Sequence, residues 1–360
     1  MQIRNSLTYL LWLAATTNVL ASAIPRSSGV VAKAGNPVVI DSHGAYIRGS
    51  LTNDGSLIAG YTAQENDQAI LRLVRSTNGG SSWQFVSEVY RGDVATHDID
   101  NAMVLQTPSG RILYAYRNHD RSDGVYTYYR ISISYSDDGG KSFGFLSQVE
   151  QRSPIPNTPS GLWEPFLRLA ADGSLQCYYS SENSSSDQDG FMKHSTDDGK
   201  TWSSSIQVSG GDRVSRDGMI GVASTSSSQN LIAVFENTET GSFTVDYVLS
   251  HDDGYTWGQR GRLYTPRNGG VAGAPQISNV GGTLVASFMT NEDVPGLDDL
   301  DGGQMKVITS ADGGQTWSGS VVTGDTGSHW PGLLTRDATH FLALYSRDGL
   351  GGVSQLYQLQ

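Results

Sequence analysis

The sequence is poor in cysteine, in charge and in long apolar runs. Cys177 is the only cysteine in 360 residues, so the fold must be held by its core and its hydrogen bonds rather than by disulfides. In Leu175-Gln176-Cys177-Tyr178-Tyr179 it reads as buried strand packing, because a catalytic thiol needs an activating partner and no sequence neighbour supplies one. Charged residues make up only 17%, with 24 Lys and Arg against 36 Asp and Glu, a net charge of −12. That balance argues against a nucleic-acid groove and against polyanionic substrates, and it favours neutral ones. Heptads and helical apolar stripes are missing, while 43 glycines are present, which points to an all-β chain.

The one apolar run is at the start. Met1, Gln2, Ile3 and Arg4 precede an apolar stretch from Leu7 to Leu20, followed by Ala21-Ser22-Ala23. A basic start, a short apolar run and a small-x-small end predict a secretory signal peptide over residues 1–23. No later run approaches the roughly 20 apolar residues of a membrane span. The expectation is a secreted, extracellular, membrane-free monomer whose single domain covers residues 24–360, or 337 residues (360 minus 23). Asn183-Ser184-Ser185 is a glycosylation sequon in a Ser-rich loop.

Against that background a repeat stands out. A motif S-x-D-x-G-x-T-W, with small variations, starts at Ser76, Ser136, Ser195, Ser250 and Ser310, intervals of 60, 59, 55 and 60 residues. Units of about 58 residues fit about six times into the mature chain. Each motif has the chemistry of a tight turn: Asp or Asn bonds its own backbone, Gly takes positive φ and the aromatic packs inward. Around it the third unit reads as Trp163 to Leu169, Ser174 to Ser181, Phe191 to Ser195 and a strand after Trp202, a four-stranded antiparallel blade. The expected fold is a six-bladed β-propeller. Its sixth unit ends after three strands, and the segment Asn36 to Ile40 is expected to supply the fourth and close the ring.

In such a ring the first strand lines the channel. The start of strand one and the end of strand two share one face, and the repeated turn lies on the other. Polar residues collected at that first face are Arg48 and Glu65 in blade one, and His97, Asp98, Asn101, Arg117, Asn118 and His119 in blade two. Blade three adds Trp163, Glu164 and Glu182, and blade four Arg216, Asp217 and Glu236. Blades five and six add Gln276, Glu292, Trp330, Tyr345 and Arg347. Carboxylates, arginines, amides and aromatics converging from six loops compose a carbohydrate pocket.

Glycoside hydrolysis needs one protonated and one ionised carboxyl group. Glu164, in Trp163-Glu164-Pro165-Phe166, has an apolar setting that raises its pKa as a general acid requires. Glu236 ends the apolar strand Ala233-Val234-Phe235. On residues alone Asp217 ranks close to Glu236, and structural ion pairing is the competing reading for each. Trp163 and Trp330 are stacking candidates, and Arg48, Asp98, Asn101, Asn118, Asp217 and Gln276 are candidates to hold sugar hydroxyls. His97, His119 and His329 have no metal-ligand spacing, and the Asp298-Asp299-Leu300-Asp301 loop reads as solvated, so no metal and no cofactor is expected.

These segments carry a resemblance. The repeated turn resembles the Asp-box of sialidases. Closer is the similarity to the fungal exo-α-1,5-L-arabinanases of glycoside hydrolase family 93. It rests on Ala45-Tyr46-Ile47-Arg48, Asp98-Ile99-Asp100-Asn101, Tyr116-Arg117-Asn118-His119-Asp120, Trp163-Glu164-Pro165-Phe166, Arg216-Asp217-Gly218-Met219 and Phe235-Glu236-Asn237. The resemblance implies a retaining hydrolase that removes arabinobiose from the non-reducing end of linear arabinan. Glu164 would match its acid/base, Glu236 its nucleophile, and Tyr345 a hydroxyl near the nucleophile, with strand packing as the alternative reading for Tyr345. Two other functions stay open. A sialidase would clamp a carboxylate with three arginines, for which Arg48, Arg216 and Arg347 are available, although the Arg-Ile-Pro signature is absent. A non-catalytic carbohydrate-binding propeller would keep the aromatics and amides without needing paired acids.

Overall fold

The structure, a computed structural model, describes residues 29–360; the expected leader over residues 1–23 lies outside them. Among the described residues no helix is long and apolar enough to cross a membrane. Six antiparallel sheets are arranged as a six-bladed propeller. The inner strands are Gly44–Leu51, His97–Gln106, Leu162–Leu169, Gly218–Ser224, Ala272–Val280 and Ser328–Thr335. Blade three follows the expected order, with Leu175–Ser184, Asp187–Ser195 and Ile206–Ser209 outside its inner strand.

Blade six closes the ring with two N-terminal pieces rather than one. Val38–Asp41 pairs with the last strand, Gly351–Leu359, through Val38 and Ser354, and Val31–Lys33 pairs with its far end through Val31 and Leu359. Ring closure leaves no long unpaired edge inside the propeller. Six apolar clusters, each built from two neighbouring blades, fill the gaps between blades. These inter-blade cores, not a central one, hold the fold together.

The five repeated turns follow the third strands of blades one to five. The Ser195 hydroxyl donates to Asp197 Oδ1 at 2.8 Å and accepts from Gly199 N at 2.9 Å, while Asp197 Oδ1 accepts from Thr201 N at 2.9 Å. Blades one, two, four and five repeat this arrangement at Ser76, Ser136, Ser250 and Ser310. The glycine carries a positive φ of 83° at Gly199, a conformation that its missing Cβ allows at little cost.

A second repeat sits at the opposite face. Every inner strand contains a β-bulge in which two residues oppose one. The first bulged residue is left-handed in all six blades: Tyr46 (φ 55°), Asn101 (57°), Glu164 (48°), Met219 (54°), Ala274 (50°) and Trp330 (56°). None is glycine, so each carries backbone strain. The single residue opposite is a buried aromatic every time: Tyr61, Tyr116, Tyr179, Phe235, Phe288 and Tyr345. The ring fills the space behind the bulge, and the bulge re-aims one side chain per blade at the channel mouth.

Candidate functional site

The mouth is built from two rings. One consists of the six left-handed bulge residues. The other consists of the residue after each aromatic, namely Thr62, Arg117, Ser180, Glu236, Met289 and Ser346. Strand alternation turns the aromatic toward the preceding blade and its successor toward the following one. Thr62 Oγ1 accordingly donates to Asp100 Oδ1 of blade two at 2.6 Å. Ser180 Oγ of blade three accepts from Met219 N of blade four at 3.2 Å, and Glu236 Oε2 of blade four accepts from Ala274 N of blade five at 2.7 Å.

Glu164 projects from the bulge of blade three. Burial, and then the nearby charge of Glu236, push its carboxyl up to about 7, with Arg117, Ser180 and the Met219 amide pulling the other way. Its Oε2 is buried with no partner. Glu236 is also raised by burial, but the Ala274 amide and Arg216 stabilise its anion. Burial thus raises both carboxyls, but Glu164 also feels the Glu236 charge while Glu236 has the Ala274 amide and Arg216 opposing its rise. Gly273 makes room for Glu236: a Cβ there would lie 2.6 Å from Oε2.

Blade two supplies the polar side. Arg117 Nη2 donates to Asp98 Oδ1 at 2.9 Å and Nη1 to Asn101 Oδ1 at 3.0 Å, while its guanidinium lies 5.1 Å from the Trp163 ring centroid. Asp98 Oδ2 accepts from Tyr126 at 2.6 Å and pairs with Arg121 at 2.8 Å. Despite its burial, these partners hold the Asp98 carboxyl down to about 2. Asp98 and Asn101 therefore position Arg117, which faces Glu164.

The other side is apolar. Tyr46, Met219, Ala274 and Met289 form a buried cluster joined by Trp330 and Leu300, with the Tyr46 and Trp330 rings 6.3 Å apart. Behind it Arg48 lies 4.0 Å from the Tyr46 ring centroid and donates Nη1 to the carbonyls of Ile47 and Trp330 at 3.0 and 3.1 Å, leaving Nη2 unpartnered. Arg48 and Gln276 line a cavity of about 370 Å³ that continues down the channel past Met103 and Phe166.

The structure brings Glu164, Glu236, Arg48, Asp98, Asn101, Trp163, Gln276 and Trp330 to the mouth or to its immediate lining, and it gives Asp217, Tyr345, Asn118 and the Trp163 ring surroundings of their own. Asp217 is 0% exposed. It is locked to Arg260, with Asp246 and Arg262 continuing the ion-pair chain, so it has no surface to offer a sugar. Tyr345 is the sixth bulge-filling aromatic. It packs against Met305 and Val353, and its phenol feels Arg347 and Asp325 rather than either glutamate. Asn118 is on the opposite strand face from Arg117, with Oδ1 buried and unpartnered. Trp163 is enclosed by His119, Tyr126 and Tyr129 and by Arg117, so its ring supports the site more than it presents an open face. Asp100, Ser180, Met219 and Leu300 received no role from sequence. The first three could have been found as equivalent positions once the blades were aligned on the aromatic of strand two. Among the described residues no cluster of His, Cys, Asp and Glu could hold a metal ion.

No protein-family model matches the sequence, and no curated protein sequence matches it. Solved structures do share the architecture. The GH93 α-L-arabinofuranosidase of Fusarium graminearum, in complex with arabinobiose, superimposes with a TM-score of 0.71 at 20% identity, covering 90% of this chain and 98% of that one. For the α-L-arabinanase of Penicillium chrysogenum, also complexed with arabinobiose, the values are 0.70 and 19%, over 91% and 98% of the two chains. A Hadza microbial sialidase gives 0.64 and 17%, over 89% of this chain and 66% of its own. At these identities the likeness establishes the propeller fold.

Proposed function

We propose that this chain is a secreted, retaining, exo-acting glycoside hydrolase that releases arabinobiose from the non-reducing end of linear α-1,5-L-arabinan. The observation that carries the reading is the buried Glu164–Glu236 pair, in which burial and Glu236's charge raise Glu164 to about 7, while Glu236, also raised by burial, has the Ala274 amide and Arg216 to support its anion. Glu164 protonates the glycosidic oxygen as Glu236 attacks the anomeric carbon, breaking the C–O bond and forming a glycosyl ester on Glu236. Glu164, now the anion, takes a proton from water, whose oxygen displaces Glu236 and regenerates both groups. Two inversions give net retention, a route that needs the carboxyls about 5 Å apart. Arg117 and Asp100 hold hydroxyls on the polar side, and Tyr46 and Trp330 face the sugar on the apolar side. The two arabinobiose-bound structures of the same fold support the choice of substrate.

The sialidase alternative is weakened by its arginines. Arg48 is buried and bonded through Nη1 to backbone carbonyls, Arg216 is engaged by Glu182 and Gln188, and Arg347 pairs with Asp325. The test is to incubate wild type and Glu236→Ala with linear α-1,5-arabinan and, in parallel, with a sialoside, and to resolve the released sugars by chromatography. Arabinobiose from wild type and none from the variant supports the proposal. Intact arabinan removes it, and the sialoside then separates a sialidase from a binding module.

A further inference from the structure

Beside Glu236 stands a side chain that the chemistry does not use. The connection from residue 291 to residue 303 in blade five carries Asp298, Asp299 and Asp301, all exposed, yet Leu300 between them is half-buried and turned into the mouth. It packs on the Tyr46, Met219, Ala274 and Met289 cluster. A Cβ on Gly273 would meet Leu300 Cδ1 at 2.7 Å and Glu236 Oε2 at 2.6 Å, so the leucine tip and the carboxylate crowd the same glycine.

The connection is tied down at both ends. Asn291 Nδ2 donates to Leu297 O at 2.7 Å, and its Oδ1 accepts from Val271 N at 2.8 Å. At the far end Gly327 N donates to Gly302 O at 2.8 Å. The His329 ring lies between Asp301, at 2.6 Å from Nδ1, and Asp348, at 3.0 Å from Nε2, linking the connection to blade six.

We infer that Leu300 is the end wall of the substrate groove and the residue that sets the length of the released sugar. The inference rests on the arabinanase reading above. Glu164 serves the leaving oxygen from blade three, so the departing chain runs out over blades two and three. Leu300 stands across the ring, over blade five, where the non-reducing end must stop. An apolar wall beside Tyr46 and Trp330 covers the sugar's carbon face and offers no hydroxyl partner for a further unit.

The test uses linear α-1,5-arabino-oligosaccharides labelled at the reducing end, with product lengths read at low conversion for wild type, Leu300→Ala and Leu300→Trp. Wild type is expected to release one short product of fixed length. Leu300→Ala is expected to raise the share of longer products about tenfold, the order that removal of a few methylenes from a pocket contributes. Leu300→Trp is expected to shorten the product or slow its release. A wild-type product pattern from both variants, with wild type active, overturns the inference and leaves the function standing. Wild type inactive on every oligosaccharide overturns both. Because thermal unfolding is recorded alongside, a variant that does not fold is replaced in the comparison by the other.

Discussion

The Glu236 carboxylate of blade four is held by the Ala274 amide of blade five, 2.7 Å from Oε2. One blade earlier the Ser180 hydroxyl makes the same contact with Met219 N at 3.2 Å. The position is thus built to accept from the next blade's bulge, and only its chemistry changes around the ring. Glu236→Gln keeps an acceptor of the same shape, so the melting temperature is expected to stay within a few degrees of wild type. Hydrolysis is expected to fall by about three orders of magnitude or more, since an amide cannot form the glycosyl ester. Calorimetry and release of arabinobiose check the two halves separately.

Tyr345 follows from the same alignment. Blades four and five use Phe235 and Phe288 where blade six uses Tyr345, all three within 2% of full burial. If the ring is what matters, Tyr345→Phe should keep kcat/KM within about twofold, whereas a hydroxyl acting on the nucleophile would cost far more. Tyr345→Ala should destabilise by about 3–5 kcal/mol, the range for a large aromatic removed from a core. Urea unfolding together with kinetics on the folded variants decides.

These cases also show what was legible in the chain. The turn at Ser76, Ser136, Ser195, Ser250 and Ser310 gives away the blades because its function is local: a serine, an Asp or Asn and a glycine must occur within five residues to satisfy one loop. The bulge ring was not read, because its six left-handed positions hold Tyr, Asn, Glu, Met, Ala and Trp, and positive φ there is imposed by the sheet rather than by residue type. Its only sequence mark is the aromatic 14–16 residues later, such as Phe288 after Ala274 or Phe235 after Met219. Glu164 and Glu236 stood out by their apolar flanks, but on residues alone Asp217 ranked close to Glu236, and only the resemblance separated them. The pairing of Asp217 was not read because its partner Arg260 lies 43 residues away, a distance at which sequence carries no sign of pairing.

Asp217 then makes a structural prediction. Its carboxylate is fully buried against Arg260. Arg260 keeps Asp246 when Asp217 is neutralised, so the loss breaks part of a buried ion-pair network, at a cost of up to about 3–5 kcal/mol. Asp217→Asn is therefore expected to lower stability on that order while leaving KM for arabinan near wild type in the fraction that folds. A large rise in KM at unchanged stability would restore Asp217 to the substrate-binding set.

On the proposed mechanism, the Glu164 carboxyl couples catalysis to stability through pH. Its folded value, about 7, lies above the ordinary 4.5, so the folded state prefers the proton. That preference contributes stability fully present below about pH 4.5 and lost as pH rises through about 7. Activity should follow the same proton: the alkaline limb of kcat/KM is expected near pH 7, where the general acid is lost. Glu164→Gln mimics the protonated group at every pH. Its stability should match wild type at pH 4 and exceed it at pH 8, by up to about 3 kcal/mol for a shift of this size. The site would then be gaining its acid at the expense of the fold. Denaturant unfolding of both proteins across pH 4–8 tests this. A constant difference between them would mean that Glu164 titrates at its ordinary value, and the alkaline limb would have to belong to another group.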